Sequence, residues 1–168
     1  MRIGMGCFAI FISVFYLIGI GLLGFGIWSA RRSTQASNWP TTPGVLTNIT
    51  LKENSDSDGS TYEVQVEYSY SVAGTVYRGN RLAFGYSASS GREAHTEICE
   101  KLKAAKSVDV RYDPDDPATS TLSFGIHRSI QFMLAFAVTW LAFVIGFTLI
   151  WWSMSRSDNV LLQNLSVQ

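Results

Sequence analysis

IGMGCFAIFISVFYLIGIGLLGFGIWSA, residues 3–30, carries no Asp, Glu, Lys, Arg or His, and neither does SIQFMLAFAVTWLAFVIGFTLIWWSMS, residues 129–155. Each run holds about 25 residues or more, roughly 37 Å as a helix, against a bilayer hydrocarbon core of roughly 30 Å. One charge at the centre of such a helix would cost roughly 2.5–3.5 kcal/mol on insertion. Two runs this long and free of charge predict two helices solvated by lipid, over 3–30 and 129–154. A secretory leader has an apolar stretch of only about 7–15 residues, and a cut after Ala30 would place bulky Trp28 where a small residue is wanted. The first run therefore reads as an uncleaved span.

Trp28 and Trp39 follow the first run, and Trp151 and Trp152 end the second, where amphipathic rings suit a headgroup layer. Arg31, Arg32, His127 and Arg128 flank the side that carries the middle of the chain, and Arg2, the terminal amine and Arg156 flank the other. The counts nearly cancel, and the connecting segment is longer than the reach of the positive-inside rule. The small difference favours a cytoplasmic middle domain with both termini outside. Gly19-Ile20-Gly21-Leu22-Leu23-Gly24 has the spacing of a dinucleotide-binding turn. That turn needs a preceding strand and a polar phosphate site, and both flanks here are apolar. With Gly26 seven residues on, Gly19 reads instead as part of a smooth face for helix packing; no strict G-x-x-x-G is present.

The formal net charge is zero, which gives no basic surplus for a nucleic-acid partner. Cys7 lies in the first span and Cys99 in the middle domain, so no disulfide framework is expected. Residues 33–127, roughly 95 of them, suffice for one small core.

Within that segment Tyr62, Val64, Val66, Tyr68, Tyr70 and Val72 alternate with Glu63, Gln65, Glu67, Ser69 and Ser71, a period of two that places the large groups on one face of a strand. A turn at Ala73-Gly74 leads into a second strand around Val76 to Leu82. A third strand, Val45 to Leu51, precedes them, separated by the polar run Asn54 to Ser60. Val108, Val110 and Tyr112 mark a fourth, and Thr119 to Leu122 a short edge strand. Between them, Ala94, Ile98, Leu102 and Ala105 recur at helical spacing over about 91–105, with Ser89 or Ser90 as candidate caps. The expected fold is membrane α + β: two transmembrane helices flanking a small antiparallel β-sheet or half-open barrel with one amphipathic helix.

A span ending in Arg31-Arg32, then Trp39, Pro43-Gly44-Val45-Leu46, Tyr68-Ser69-Tyr70-Ser71-Val72, Gly74, Tyr77, Gly79, Val108-Asp109-Val110-Arg111-Tyr112-Asp113-Pro114 and Asp116-Pro117, and a closing span, resembles the domain-of-unknown-function 3592 family. The resemblance covers about residues 39–125 and, through the flanking spans, nearly the whole chain; Tyr112-Asp113-Pro114 with Asp116-Pro117 is its most specific part. It implies a bacterial-type, membrane-anchored β domain, and it transfers no activity, substrate or catalytic residue; the expected location is integral and two-pass, in the cytoplasmic or inner membrane of a bacterium. Where the family has a Gly before the Val-x-Val strand, this chain has Ala105-Lys106-Ser107.

Four constellations invite sharper chemistry. Asn54, Asp56, Asp58 and Gly59 fit positions 1, 3, 5 and 6 of a calcium loop, but position 12 is Gln65, and Glu63 and Glu67 each miss it by two; a solvated hairpin tip is the better reading. Asp113, Asp115 and Asp116 alternate with Pro114 and Pro117, a turn rather than an opposed catalytic pair. His95 and Cys99 share a helix face, but a zinc site needs three or four ligands, the only other His is His127, and a Cys–His nucleophile would lack an oxyanion donor. The aromatics Tyr62, Tyr68, Tyr70, Tyr77, Phe84, Tyr86 and Tyr112 could stack nucleic-acid bases, yet Glu63 and Glu67 occupy the reverse face of the best strand.

No catalytic, cofactor-binding or metal-ligating residue is therefore expected, no cofactor, and no enzymatic activity. The expected partners are the lipid bilayer and another membrane protein, with no nucleic acid and no small-molecule substrate. Two functions fit: a membrane-anchored β domain for protein–protein interaction, as accessory subunit of a membrane assembly, or a small-ligand, ion or lipid binding module using the loop Phe84 to Gly91 as an adaptable rim.

Overall fold

The computed structural model describes residues 2–57, 59–154 and 164. Helix α1 spans Arg2–Gln35 and passes through a 3-10 turn, Ala36–Asn38, into strand β1, Thr41–Asp56. Strands β2 (Gly59–Val72) and β3 (Thr75–Gly79) follow, then helix α2 (Arg92–Ala104), strands β4 (Val108–Tyr112) and β5 (Ser120–Thr121), and helix α3 (Arg128–Met154). The chain divides into two compact units, one made of residues up to Gly24 with those from Met133 on, the other of Phe25–Phe132.

The first unit pairs α1 with α3. Trp140 donates its indole N–H to the Phe15 carbonyl at 3.0 Å, and the Tyr16 hydroxyl donates to Thr148 Oγ1 at 3.2 Å. Phe8 stacks on Trp151 at 4.3 Å between centroids. Gly19 is a true packing position: a Cβ there would lie 2.9 Å from Leu141 Cγ and from Trp140 Cδ1. Gly21 and Gly24 face open space, so the expected glycine face narrows to Gly19 in this unit. Both helices are long and apolar enough to cross a membrane.

The second unit is an open antiparallel sheet in the order β3-β2-β1-β4-β5, not a half-open barrel. Its core face follows the period of two in β2: Val64, Val66, Tyr68 and Tyr70 are all at most 3 % exposed. Strand β1 is longer than its apolar stretch suggests, because the polar run continues in the ladder with β2, through Asn54↔Thr61 to Asp56↔Gly59. The run is thus a hairpin arm and tip; Asn54 and Asp56 stand in extended strand, and Asp58 lies outside the described residues.

Leu46, Ile49 and Leu51 all pack against the core although their spacing breaks a period of two. A bulge resolves the conflict: Leu46 faces Tyr68 and Asn48 faces Glu67, leaving Thr47 as the extra residue. One inserted residue flips the alternation, so all three apolar side chains reach the same face. The hairpin β2–β3 closes through Ala73 (φ 49°) and Gly74 (φ +83°), two left-handed residues of the kind whose twist matches the flanking strands. Gly44 lets β1 approach β4 closely, since a Cβ there would collide with Val110 Cγ2.

Helix α2 covers the core face of β1 and β2. Its buried stripe is His95 and Cys99, with Ile98 and Leu102 packed alongside. The expected stripe is corrected by one position: Ala94 is exposed and His95 takes its place, and Ala105 already lies past the helix end. Neither Ser89 nor Ser90 caps the helix; Gly91 stands at the N-cap with no side-chain bond. Glu93 in the first turn and Lys101 and Lys103 in the last complement the helix dipole.

Candidate functional site

The loop from Asn80 to Gly91 joins β3 to α2 and has no periodic pattern, yet its centre is buried. Phe84 is 3 % exposed. The rings of Trp28 and Trp39 stand nearly perpendicular to it, at 82°, with centroids 6.1 and 5.7 Å away, and the Arg81 guanidinium lies 4.5 Å from its centroid. These are favourable geometries for the ring quadrupole. The next residue, Gly85, has φ +71°, and a Cβ on it would sit 2.9 Å from Ile130 Cγ1 and 3.0 Å from Ser29 Cβ. Backbone alone fits there, and His127 adds an Nε2–H bond to the Phe84 carbonyl at 2.8 Å. The Phe84–Gly85 part of the loop is therefore pinned to the end of α1 and the start of α3.

Beyond Gly85 the loop carries a relay of three side chains that the sequence reading did not assemble. The Tyr86 hydroxyl lies 2.6 Å from His95 Nδ1, and Ser89 Oγ lies 2.8 Å from His95 Nε2. A serine on an imidazole that is oriented by a third group is the arrangement of nucleophilic catalysis, so its direction decides its chemistry. The Val64 N–H donates to the Tyr86 oxygen at 3.0 Å. With the Val64 amide on the Tyr86 oxygen, the Tyr86 O–H donates to His95 Nδ1 in one ring tautomer, and the tautomer sets the direction of the relay. The neutral ring then carries its proton on Nε2 and donates to Ser89 Oγ. In that tautomer Ser89 receives a hydrogen bond, the reverse of an activated nucleophile; in the other, with Nδ1–H donating to the Tyr86 oxygen, Ser89 Oγ–H donates to Nε2. Ser89 is also fixed through its backbone, exchanging both bonds with Tyr62 at 2.8 and 3.0 Å.

Burial holds the His95 pKa below the ordinary histidine value, against a smaller opposing pull from Glu63. Burial likewise raises the Tyr86 pKa, offset in part by the bond from Val64. Both groups are therefore neutral near pH 7, which the relay requires. It ties β2, the loop and α2 into one body.

A second set of contacts fixes the sheet to the last turns of α1. Arg32 pairs with Asp113 at 3.0 Å, and Ser33 exchanges two bonds with Gly125, Oγ to carbonyl at 2.8 Å and amide to carbonyl at 3.1 Å. Arg111 donates to the carbonyls of Ser37 and Trp39 and places its guanidinium 4.2 Å from the Phe124 centroid. The Asp113–Pro117 stretch is a turn built by its own side chains: Asp113 Oδ1 accepts from the Asp115 amide, Asp116 Oδ2 accepts from Thr119, and Tyr70 closes it on the Pro117 carbonyl at 2.6 Å.

The other candidates do not converge. His95 has both ring nitrogens engaged and Cys99 is in the core, while His127 stands beside Tyr86 with its ring 6.4 Å away. Among the described residues no three of His, Cys, Asp or Glu gather where a metal could bind. Tyr62, Tyr68, Tyr70 and Phe84 are core groups, not a stacking surface. A shallow groove of about 660 Å³ lies near the bulge, with Glu67 and Arg78 as its charged lining.

No curated protein sequence and no solved structure matches the chain. The family model described as Domain of unknown function (DUF3592) matches residues 42–127, from the second residue of β1 to the residue before α3, and the chain therefore belongs to that family.

Proposed function

We propose that the chain is a two-pass integral membrane protein of a bacterial inner membrane, whose β domain stands on the cytoplasmic side as a non-enzymatic platform for protein–protein interaction. The observation that carries the membrane reading is the exposure of large apolar groups along both long helices. Ile10, Phe132 and Phe143 are each more than 70 % exposed, and Leu17, Ile20, Val138 and Leu149 more than half. A contiguous apolar surface of this extent is far beyond what a soluble monomer carries, and lipid is the solvent that suits it. The cytoplasmic side is supported by Arg31 and Arg128, both exposed at the ends of the helices nearest the domain.

The non-enzymatic reading is supported by the commitment of the loop's best groups, Phe84 above all, to packing. The same packing argues against the loop as a ligand rim. Purification of the full chain in mild detergent at native expression, followed by native mass spectrometry, tests the platform. A reproducible complex is the expected result; a lone monomer under every mild condition overturns it.

A further inference from the structure

Strand β1 is 16 residues long, but β4 pairs with it only from Thr41 to Gly44. Among the described residues no backbone bond outside the β2 ladder reaches it between Val45 and Asp56. The direction of the free groups follows from its partner. The Tyr62 and Val64 amides donate away from β1, to Ser89 and Tyr86, so Tyr62 and Val64 form non-hydrogen-bonded pairs with Glu53 and Leu51. Alternation then makes Ile49, Leu51 and Glu53 the residues whose N–H and C=O groups face the open edge. Ile49 and Leu51 are also only half-buried, although they pack against the core.

We infer that this edge pairs with the same edge of a second copy of the chain, antiparallel and centred on Thr50; the inference rests on the interaction platform proposed above. The pattern selects both the partner and the register. Centred on Thr50, one core-face row reads Val66, Ile49, then Leu51 and Val64 of the second copy, apolar throughout. One outer-face row reads Glu67, Asn48, then Lys52 and Glu63 of the second copy, with no like charges adjacent, and the central row is Gln65, Thr50, then Thr50 and Gln65 of the second copy. Ile49 and Leu51 of the two copies exchange the backbone bonds, as their outward groups require. Centring on Lys52 or Glu53 would set like charges opposite one another, and centring on Leu51 would set Ile49 against Glu53. The bulge at Thr47 ends the regular edge on the other side, and Thr50 is the centre that sets Ile49 opposite Leu51 in both directions.

The test uses the full chain with Cys7 and Cys99 replaced by Ala, in mild detergent and in lipid nanodiscs. Thr50 is exposed, so substitution there leaves the core intact. In the proposed register the two Thr50 Cα atoms form a non-hydrogen-bonded pair about 4.5 Å apart, within disulfide reach. The two Asn48 Cα atoms, like the two Lys52 Cα atoms, lie four residues out of register, about 13 Å apart. Oxidation should therefore link Thr50→Cys to itself at least roughly ten-fold more than Asn48→Cys or Lys52→Cys alone, while a mixture of those last two links as a heterodimer. Thr50→Lys and Thr50→Glu should each be monomeric alone and dimeric when mixed. Equal linking at all three positions, a dimer that persists in both charged variants, or a monomeric parent overturns the pairing. A monomeric parent that still forms a complex with another membrane protein overturns the pairing and leaves the platform standing; absence of any complex overturns both.

Discussion

Tyr86→Phe separates a structural relay from a catalytic one. Removing the hydroxyl leaves two groups without their partner: the amide of Val64, a residue 3 % exposed, and the Nδ1 of His95, 4 % exposed. A buried polar group deprived of its partner costs about 1–3 kcal/mol, so the variant should lose about 2–4 kcal/mol of β-domain stability. Ser89→Ala makes the contrast. Ser89 is exposed, and the His95 Nε2–H that it accepts can turn to water, so the loss should stay below about 1 kcal/mol. Amide hydrogen exchange on the purified full chain reads both, with the Val64 amide as the local reporter. Selective ¹⁵N labelling of histidine should find the proton of His95 on Nε2. Equal losses in the two variants, or a proton on Nδ1, would refute the derivation, because the relay would then run toward an activated Ser89.

His95 also makes stability depend on pH. Its folded pKa lies below the unfolded value of about 6.5, so the unfolded chain takes up the proton first. Its contribution is complete above that value and is lost as pH falls below it; a thermal melt series should decline through this window in the parent and flatten in His95→Gln. Ala73 holds a left-handed conformation at φ 49°, which costs an L side chain about 1 kcal/mol, so Ala73→Asn should raise stability by about 0.5–1 kcal/mol in the same melts. Ser29 and Ser33 are both fully buried, but Ser33 Oγ donates to the Gly125 carbonyl while Ser29 Oγ has no partner. Ser33→Ala should cost about 1–2 kcal/mol and Ser29→Ala should be neutral or stabilising, as urea titration would show.

How much of this was legible depends on the physics of each element. The alternation of β2 appears directly in the sequence because one face is buried and the other carries Glu63, Gln65 and Glu67. The reach of β1 does not, because Asn54 to Asp56 enter the ladder through backbone bonds that carry no hydrophobic signal. The bulge left a trace in the spacing of Leu46, Ile49 and Leu51, which fits neither strand nor helix period. The α2 stripe was displaced by one residue because His95 is polar by type yet buried by virtue of two hydrogen bonds. The relay itself was invisible, since Tyr86, Ser89, His95 and Val64 meet only once the loop is folded back along β2. Likewise Phe84 looked like part of a pliable loop because its partners, Trp28 and Trp39, are distant in the chain.

In the proposed topology both long helices cross a bilayer and the β domain lies on one side of it. Inserting a protease site at Gly59 in the hairpin tip and another at the C-terminus, then digesting sealed vesicles from each face, measures this directly. Cleavage at the two sites is expected from opposite faces, with Gly59 accessible from the cytoplasmic one. Cleavage at both sites from the same face would contradict it.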